Sequence, residues 1–197
     1  MRLVAVENLS AAEVAAIREV YEEAFPEQLR APFEDLLVDR LLVLLDEDGP
    51  AGLALVRDLP GTTWTFLRYY AVGRRGRGTG TAMWAELTAL LGSEGRTRLV
   101  WDVEDPDEAG LSASSETEHR RRIAFYERLG ARLLAVRDYH PPHGDGHAPQ
   151  LRLMDLPLGA GDAASLREVV EGVYRLRYGV AADDPAVRRT LMASGLV

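Results

Sequence analysis

The sequence contains no cysteine. That removes disulfides, thiolate metal sites and a cysteine nucleophile from consideration, and it fits a reducing compartment. Long apolar runs are missing too: none approaches the roughly 20 residues that a membrane-spanning helix needs. The opening MRLVAVENLS has no apolar signal core. These absences lead us to expect a cytoplasmic protein with no membrane partner. Positive charge is scarce, with 23 Lys and Arg against 31 Asp and Glu and a net charge of −8. Binding a phosphate backbone needs a broad basic face, so nucleic acid is not an expected partner. Otherwise the composition is that of a globular protein, 47% hydrophobic and 27% charged. The 197 residues suffice for one sizeable core and a small extension.

Periodicity orders the chain. Arg2 to Val6 alternates weakly and reads as a strand. Ser10 and Glu13 make a capping-box pattern that opens a helix with Val14, Ile17, Val20, Tyr21 and Ala24 on one face, ending at Pro26. A short helix follows over Phe33 to Asp39. Leu41 to Leu45 is a continuous apolar run. The turn at Asp46 to Pro50 joins it to a strand over Ala51 to Val56, and the loop Asp58 to Gly61 leads to a strand from Trp64 to Val72. Beyond a glycine-rich turn, a helix runs from about Gly80 to Leu91 and a strand from Leu99 to Val103. The acidic, serine-rich stretch Glu104 to Glu116 reads as a loop, with Thr117 as cap of a helix that stops at Gly130. Ala131 to Tyr139 and Gln150 to Leu158 read as the last strands. The expected fold class is α/β, a mixed sheet of about seven strands flanked by helices. The domain spans 1–158, and 159–197 is a helical extension, with helices over Ala163 to Arg177 and Pro185 to Met192 behind an Asp184–Pro185 start.

The densest chemical signal is RRGRGTG, Arg74 to Gly80, between strand and helix. Glycines there let backbone N–H groups approach a ligand, the helix N-terminus adds partial positive charge, and Arg74, Arg75 and Arg77 add full charges; together these suit a pyrophosphate. The dinucleotide pattern G-x-G-x-x-G fails, since Thr81 or Met83 stands where the last glycine belongs. The P-loop fails because Thr79 occupies the lysine position after Gly73 and Gly78. The pattern [RQ]-x-x-G-x-[GA] is met by Arg75, Gly78 and Gly80. A second landmark lies downstream in RRRIAFYERLGARLL, where Tyr126 precedes Gly130 on the later helix. On these two landmarks, and on the order of strands, Arg2 to Leu158 resembles the GNAT N-acetyltransferase superfamily.

The resemblance implies an N-acetyltransferase that takes acetyl-CoA as co-substrate, uses no metal, and acetylates the primary amine of a small molecule by direct attack. Residues implied at the cofactor are Val72, Arg75, Gly76, Arg77, Gly78, Thr79, Gly80, Thr81 and His119. The turn from Val72 to Arg75 is shorter than the family pattern, so either Val72 or Tyr70 marks the strand end whose backbone polarises the acetyl carbonyl. Tyr126 is implied as the acid that protonates the departing thiolate, a role its phenol suits. The amine's proton goes to Glu104, to Asp102 or to water, with Glu104 the first choice and Glu23 a weaker one. Phe25, Arg30 and Tyr70, with Phe33 and Tyr69, are expected to frame the acceptor. Arg122, where relatives carry a small residue, either contacts the cofactor phosphates or faces water. It also motivates the alternative of an acyl-CoA-binding sensor without turnover. His140, His143, Asp145 and His147 lack regular ligand spacing and read as a polar turn, so no metal is expected. The stripe Val169, Val170, Val173, Tyr174 and Leu176 in the tail covers either the sheet domain or a second subunit, which leaves a homodimer open.

Overall fold

The structure is a computed structural model that describes residues 1–25, 30–73, 78–142, 150–159 and 164–197. Seven strands occur among them. The chain divides into two compact units, Met1–Asp58 with Thr65–Arg96, and Leu59–Trp64 with Thr97–Val197.

The first unit carries β1 (Arg2–Ala5), α1 (Ala11–Ala24), α2 (Phe33–Leu36), β2 (Arg40–Asp46), β3 (Gly49–Asp58), β4 (Trp64–Val72, of which Trp64 belongs to the second unit) and α3 (Thr79–Ser93). β1 to β4 pair antiparallel in sequence order. The capping box at α1 forms as expected: Ser10 Oγ accepts from the Glu13 amide at 3.3 Å while Glu13 accepts from the Ser10 amide at 2.8 Å. Apolar residues on α1 face the sheet, so Ile17 and Tyr21 are buried with Leu41, Val43, Leu53 and Leu55. Met83 of α3 packs instead with Leu44 and Ala51. Alternation along β2 thus sends successive side chains to two helical layers. α2 is shorter than expected: it ends at Leu36, and Asp39 closes the turn after it with its amide bonded to the Leu36 carbonyl.

The second unit carries β5 (Arg98–Glu104), α4 (Ala113–Arg128), β6 (Arg132–Leu133), β7 (Leu151–Pro157), α5 (Leu166–Gly172), a π-helical turn (Val173–Arg177) and α6 (Pro185–Ala193). β7 pairs antiparallel with both β5 and β6. Three expectations are corrected here. The later part of the serine-rich stretch is helical, because Ser112 Oγ accepts from the Ser115 amide and starts α4 there. Thr117 therefore lies inside the helix, its hydroxyl spent on the Ala113 carbonyl at 2.7 Å. The strand expected over Ala131 to Tyr139 pairs only at Arg132 and Leu133, with an isolated bridge from Tyr139 to Leu151. After Leu133 the Leu134 amide still donates to the Leu153 carbonyl at 2.9 Å, residues 134–137 then run without strand pairing, and Asp138 takes a left-handed φ of 52° that a continuous ladder does not accommodate.

The tail belongs to this second unit. Val169, Val170, Val173 and Tyr174 are at most 1% exposed, so that apolar stripe is buried within the chain. The Tyr174 ring stacks edge-on against Tyr139 at 5.3 Å, and Thr190 Oγ1 donates to the Asp138 carbonyl at 2.7 Å. The Asp184 cap and Pro185 start of α6 form as expected. The tail helix opens at Ser165 in a second capping box, and Ala163 lies outside the described residues.

Gly52 tests the packing of the first unit. It pairs with Val72, and a Cβ there would lie 2.7 Å from the Ala71 carbonyl oxygen, a backbone atom with little room to yield. Gly52→Ala is expected to lower the stability from urea unfolding by about 1–3 kcal/mol, the usual range for overpacking. An unchanged midpoint would mean that β3 and β4 are less tightly apposed.

Candidate active site

The glycine-rich turn lies partly outside the described residues, and Arg74, Arg75, Gly76 and Arg77 with it. Its last residues lead into α3 and are described. Gly78 is the N-cap of α3 with a φ of 74°, a left-handed conformation that a side chain would strain. Among the described residues no side chain caps α3. By contrast α1, α4, α5 and α6 are capped by Ser10, Ser112, Ser165 and Asp184. The first-turn amides of α3, from Thr79, Gly80 and Thr81, thus have no side-chain oxygen assigned to them, which suits an external anion. Thr79 is buried and Thr81 exposed. The Tyr70 hydroxyl donates to the Gly80 carbonyl at 2.5 Å, and its ring stands edge-on to Trp84 at 5.6 Å. Tyr70 is therefore tied to the start of α3. Val72 ends β4, half-buried, and the next amide, Gly73, donates back to the Ala51 carbonyl at 3.0 Å.

On the other side of the first unit, Phe25 packs on Tyr69 at 4.9 Å and on Tyr21 at 5.4 Å. Phe33 approaches Tyr21 at 6.0 Å. The Arg30 guanidinium donates to the carbonyls of Glu22 at 2.8 Å and Phe25 at 3.4 Å, the C-terminal end of α1, where a cation also meets the negative end of the helix dipole. Arg30 thus braces the expected acceptor-side residues. Glu23 is exposed on α1.

The second unit gathers the titratable groups. Tyr126 is 5% exposed on α4, its ring 4.9 Å from Trp101 of β5. Its carbonyl accepts the amides of Leu129 and Ala131, and Gly130 takes a left-handed φ of 90° to close the helix. Burial, the largest influence, pushes the Tyr126 phenol well above its ordinary value; Arg122 pulls it down and Glu104 pushes it up. The phenol therefore holds its proton throughout the neutral range.

Glu104 ends β5 and is ion-paired with Arg122 of α4. Burial pushes its carboxyl up, but the Arg122 charge and hydrogen bond outweigh that, and it lies below the usual carboxylate range. Arg122 is thus neither a phosphate ligand by default nor simply solvated; it neutralises the expected base. Asp102 is the opposite case. Burial raises it, against hydrogen bonds from Tyr178 and Tyr139 and the charge of Arg177, while Glu104 raises it further. His119 approaches the Asp105 carbonyl through Nδ1 at 3.4 Å. Neither Tyr139 nor Tyr178 was expected near Asp102. The signal available in the sequence was the acid itself, set in the apolar run LVWDV, since a buried carboxylate must find donors.

His140 pairs with Asp138 at 2.9 Å, and His143, Asp145 and His147 lie outside the described residues. Among the described residues no group of three His, Asp or Glu could hold a metal ion, and no helix is long and apolar enough to cross a membrane. A cleft of about 250 Å³ in the second unit is lined by Thr62, Trp64, Glu168, Gly172 and Arg175, none of them an expected site residue.

The pair Arg122–Glu104 yields a sign. Removing the guanidinium in Arg122→Gln removes what holds the carboxyl low, so Glu104 is expected to titrate at higher pH in the variant. Carbon-detected NMR of the side-chain carboxyls would show it, and an unmoved titration would mean the pair does not persist in solution.

The model of the acetyltransferase (GNAT) family matches residues 11–131. No curated protein is significantly similar in sequence. Among solved structures, a protein from Bacteroides thetaiotaomicron assigned to the GNAT family has 22% identity and a TM-score of 0.68, over 91% of this chain and 99% of its own. A phosphinothricin acetyltransferase from Sinorhizobium meliloti in complex with AcCoA has 22% identity and a TM-score of 0.56, over 84% of this chain and 93% of its own. The ribosomal-protein-S18-alanine N-acetyltransferase from Escherichia coli has 20% identity and a TM-score of 0.54, over 83% and 98%. At these identities the likeness is one of fold. The match of the family model over more than half of the sequence, on the segment from α1 through α4, shows that the chain belongs to the GNAT family of acetyltransferases.

Proposed function

We propose that the protein transfers an acetyl group from acetyl-CoA to the primary amine of a small molecule by direct attack, without a covalent enzyme intermediate. The observation that carries this reading is the start of α3. Gly78 adopts a left-handed φ, no side chain among the described residues caps the helix, and the Tyr70 hydroxyl fastens the Gly80 carbonyl, so the amides of Thr79, Gly80 and Thr81 form the positive end of the helix dipole. Uncapped amides behind an arginine-rich segment are the donor set that a pyrophosphate requires, and they fit acetyl-CoA, the donor implied by family membership. Arg75, Gly76 and Arg77 are assigned to the same task on sequence alone, and His119 beside Asp105 to a polar contact.

When bound, the co-substrate supplies an electrophilic thioester carbonyl and a thiolate leaving group. The protein's own groups handle protons and charge. The backbone at the end of β4, at Val72 or Tyr70, is assigned the carbonyl oxygen, where a fixed N–H is worth most as negative charge develops. Tyr126 is held protonated by burial, as an acid must be, and its ring is fixed against Trp101. The amine's proton is assigned to a carboxylate on β5. Phe25, Arg30 and Tyr70 are assigned to the acceptor side. The acceptor class is drawn from relatives that act on phosphinothricin and on a ribosomal protein's alanine; a small molecule is favoured because Phe25, Tyr21, Phe33 and Tyr69 close on one another in a compact aromatic cluster.

One observation favours the alternative, an acyl-CoA-binding module without turnover: Glu104 is neutralised by Arg122. A single experiment separates the two. Acetyl-CoA is titrated calorimetrically, and thiol release is then followed with a panel of an aminoglycoside, phosphinothricin and an alanine-terminated peptide. We expect binding and turnover, with Tyr126→Phe lowering kcat by about 10²-fold or more while binding persists, the usual contribution of a positioned acid. No binding would end both readings, and binding with no turnover of any amine would leave the module.

A further inference from the structure

The carboxylates near β5 and β7 are nearly all matched to cations. Asp155 is fully buried between Arg98 and Arg132. Glu104 meets Arg122, Asp105 meets Arg152 at 3.7 Å, and Asp138 meets His140 and Arg189. Asp102 is the exception. Its Oδ2 accepts hydrogen bonds from two phenols, Tyr178 in close contact and Tyr139 at 3.4 Å. Among the described residues no cation lies in ion-pair contact with it. A partly buried carboxylate served only by neutral donors costs more than a paired one, and such sites are where catalytic acids and bases are found.

The donor that holds it most closely comes from the C-terminal tail. α5 passes into the π-helical turn Val173–Arg177, and Tyr178 comes directly after it. A π turn shifts the helical register and re-aims the side chains beyond it, a device common at functional sites. Here the amide of Gly179 bonds back to the Arg175 carbonyl at 3.1 Å and that of Val180 to the Tyr174 carbonyl at 2.9 Å, fixing the chain just after Tyr178. The tail is itself anchored: Tyr174 Oη and Thr190 Oγ1 lie 2.9 Å apart, the Arg137 amide donates to Ser194 at 2.8 Å, and Gly172 lies close under the Trp64 ring.

We propose that Tyr178 of the C-terminal extension is a positioning residue for Asp102, and that Asp102 so held takes the proton of the acceptor amine. The proposal rests on the acetyl-transfer reading above. In the transfer, the amine nitrogen's lone pair forms the new C–N bond and the C–S bond breaks with its electrons on sulfur. One N–H proton passes to Asp102, and Tyr126 delivers its proton to the sulfur. Solvent then carries the proton from Asp102 back to Tyr126, so a neutral amine and a thioester become an amide and a thiol with the protein unchanged.

The groups that act on Asp102 are Tyr178, Tyr139, Arg177 and Glu104. Tyr178 stabilises the charged carboxylate, so its loss must raise the pH at which Asp102 titrates. Tyr178→Phe is therefore expected to move the Asp102 carboxyl to higher pH in carbon-detected NMR, the signal being assigned by its disappearance in Asp102→Asn. The acidic limb of kcat/KM for the best amine of the panel should shift the same way; the substrate's own titration is common to both proteins and cancels. Asp102→Asn should lower kcat/KM by about 10²-fold or more. Tyr174→Phe, whose hydroxyl serves Thr190 in the same tail, is the control and should leave the Asp102 titration in place. An Asp102 carboxyl that titrates alike with and without the Tyr178 hydroxyl overturns the proposal, whether or not an acceptor is found. Failure of acetyl-CoA to bind the unaltered protein would instead remove the acetyl-transfer reading, and the NMR comparison would still decide Tyr178's hold on Asp102.

Discussion

A helix that begins without a side-chain cap leaves polar amides in want of a partner, and the first unit is arranged around one such helix. Elsewhere the chain caps its longer helices with Ser or Asp, so the omission at α3 is local. It requires Gly78, since the left-handed φ there disfavours a side chain that could reach the amides. It also requires that the helix be held by something other than its cap. Met83, Trp84, Leu87 and Leu91 supply that by burial, and Tyr70 adds a hydroxyl bond to the Gly80 carbonyl. The apolar face and a tyrosine on β4 thus keep α3 in place without a side-chain cap from its N-cap residue.

The second unit solves a different problem, that of keeping acids inside a protein. Asp155 takes the usual course, with two guanidiniums that compensate its burial. The pair of Glu104 with Arg122 is more exposed, and its consequence is chemical as much as structural: an acid held below its usual range is ionised at neutral pH but a weak proton acceptor. Asp102, two residues earlier, is pushed the other way by burial and, among the described residues, accepts its side-chain hydrogen bonds from two phenols. Neighbouring carboxylates with environments that drive them apart are the arrangement expected where acid and base roles must be divided. Tyr126 is also raised by burial, and its phenol keeps its proton at neutral pH.

Much of the fold was legible because its signals are local. The capping box at Ser10 and Glu13, the strand Trp64–Val72 and the Asp184–Pro185 helix start depend on residues within a few positions of each other, and all form as read. The start of α4 was misplaced because Ser112 and Thr117 are both competent caps, and which one acts depends on where the helix packs. The strand expected beyond Leu133 satisfies the apolar pattern, with Val136 and Tyr139 fully buried, but burial in irregular backbone and burial in a strand leave the same mark on a sequence. The tail stripe posed the same ambiguity between a subunit and the chain itself, and packing within the second unit answers for Val169, Val170, Val173 and Tyr174.

The site was legible only as far as motifs reach. A glycine pattern and a tyrosine ahead of a glycine specify main-chain conformation and one phenol, which are local properties. The protonation of a carboxylate is not local; it is set by whatever the fold brings against it. Glu104 and Asp102 look alike in the sequence, two acids at alternate positions of one strand. They differ because Arg122 reaches the first from α4 and Tyr178 reaches the second from 76 positions further along. A π turn decides the second contact, and no periodicity announces a π turn, since it breaks the helical period that pattern reading relies on. For this chain the tail therefore has a chemical consequence as well as an architectural one. It covers apolar surface with valines that any helix could supply, and just past the point where its regular helix ends it delivers a hydroxyl to a partly buried acid, closer than the one Tyr139 offers.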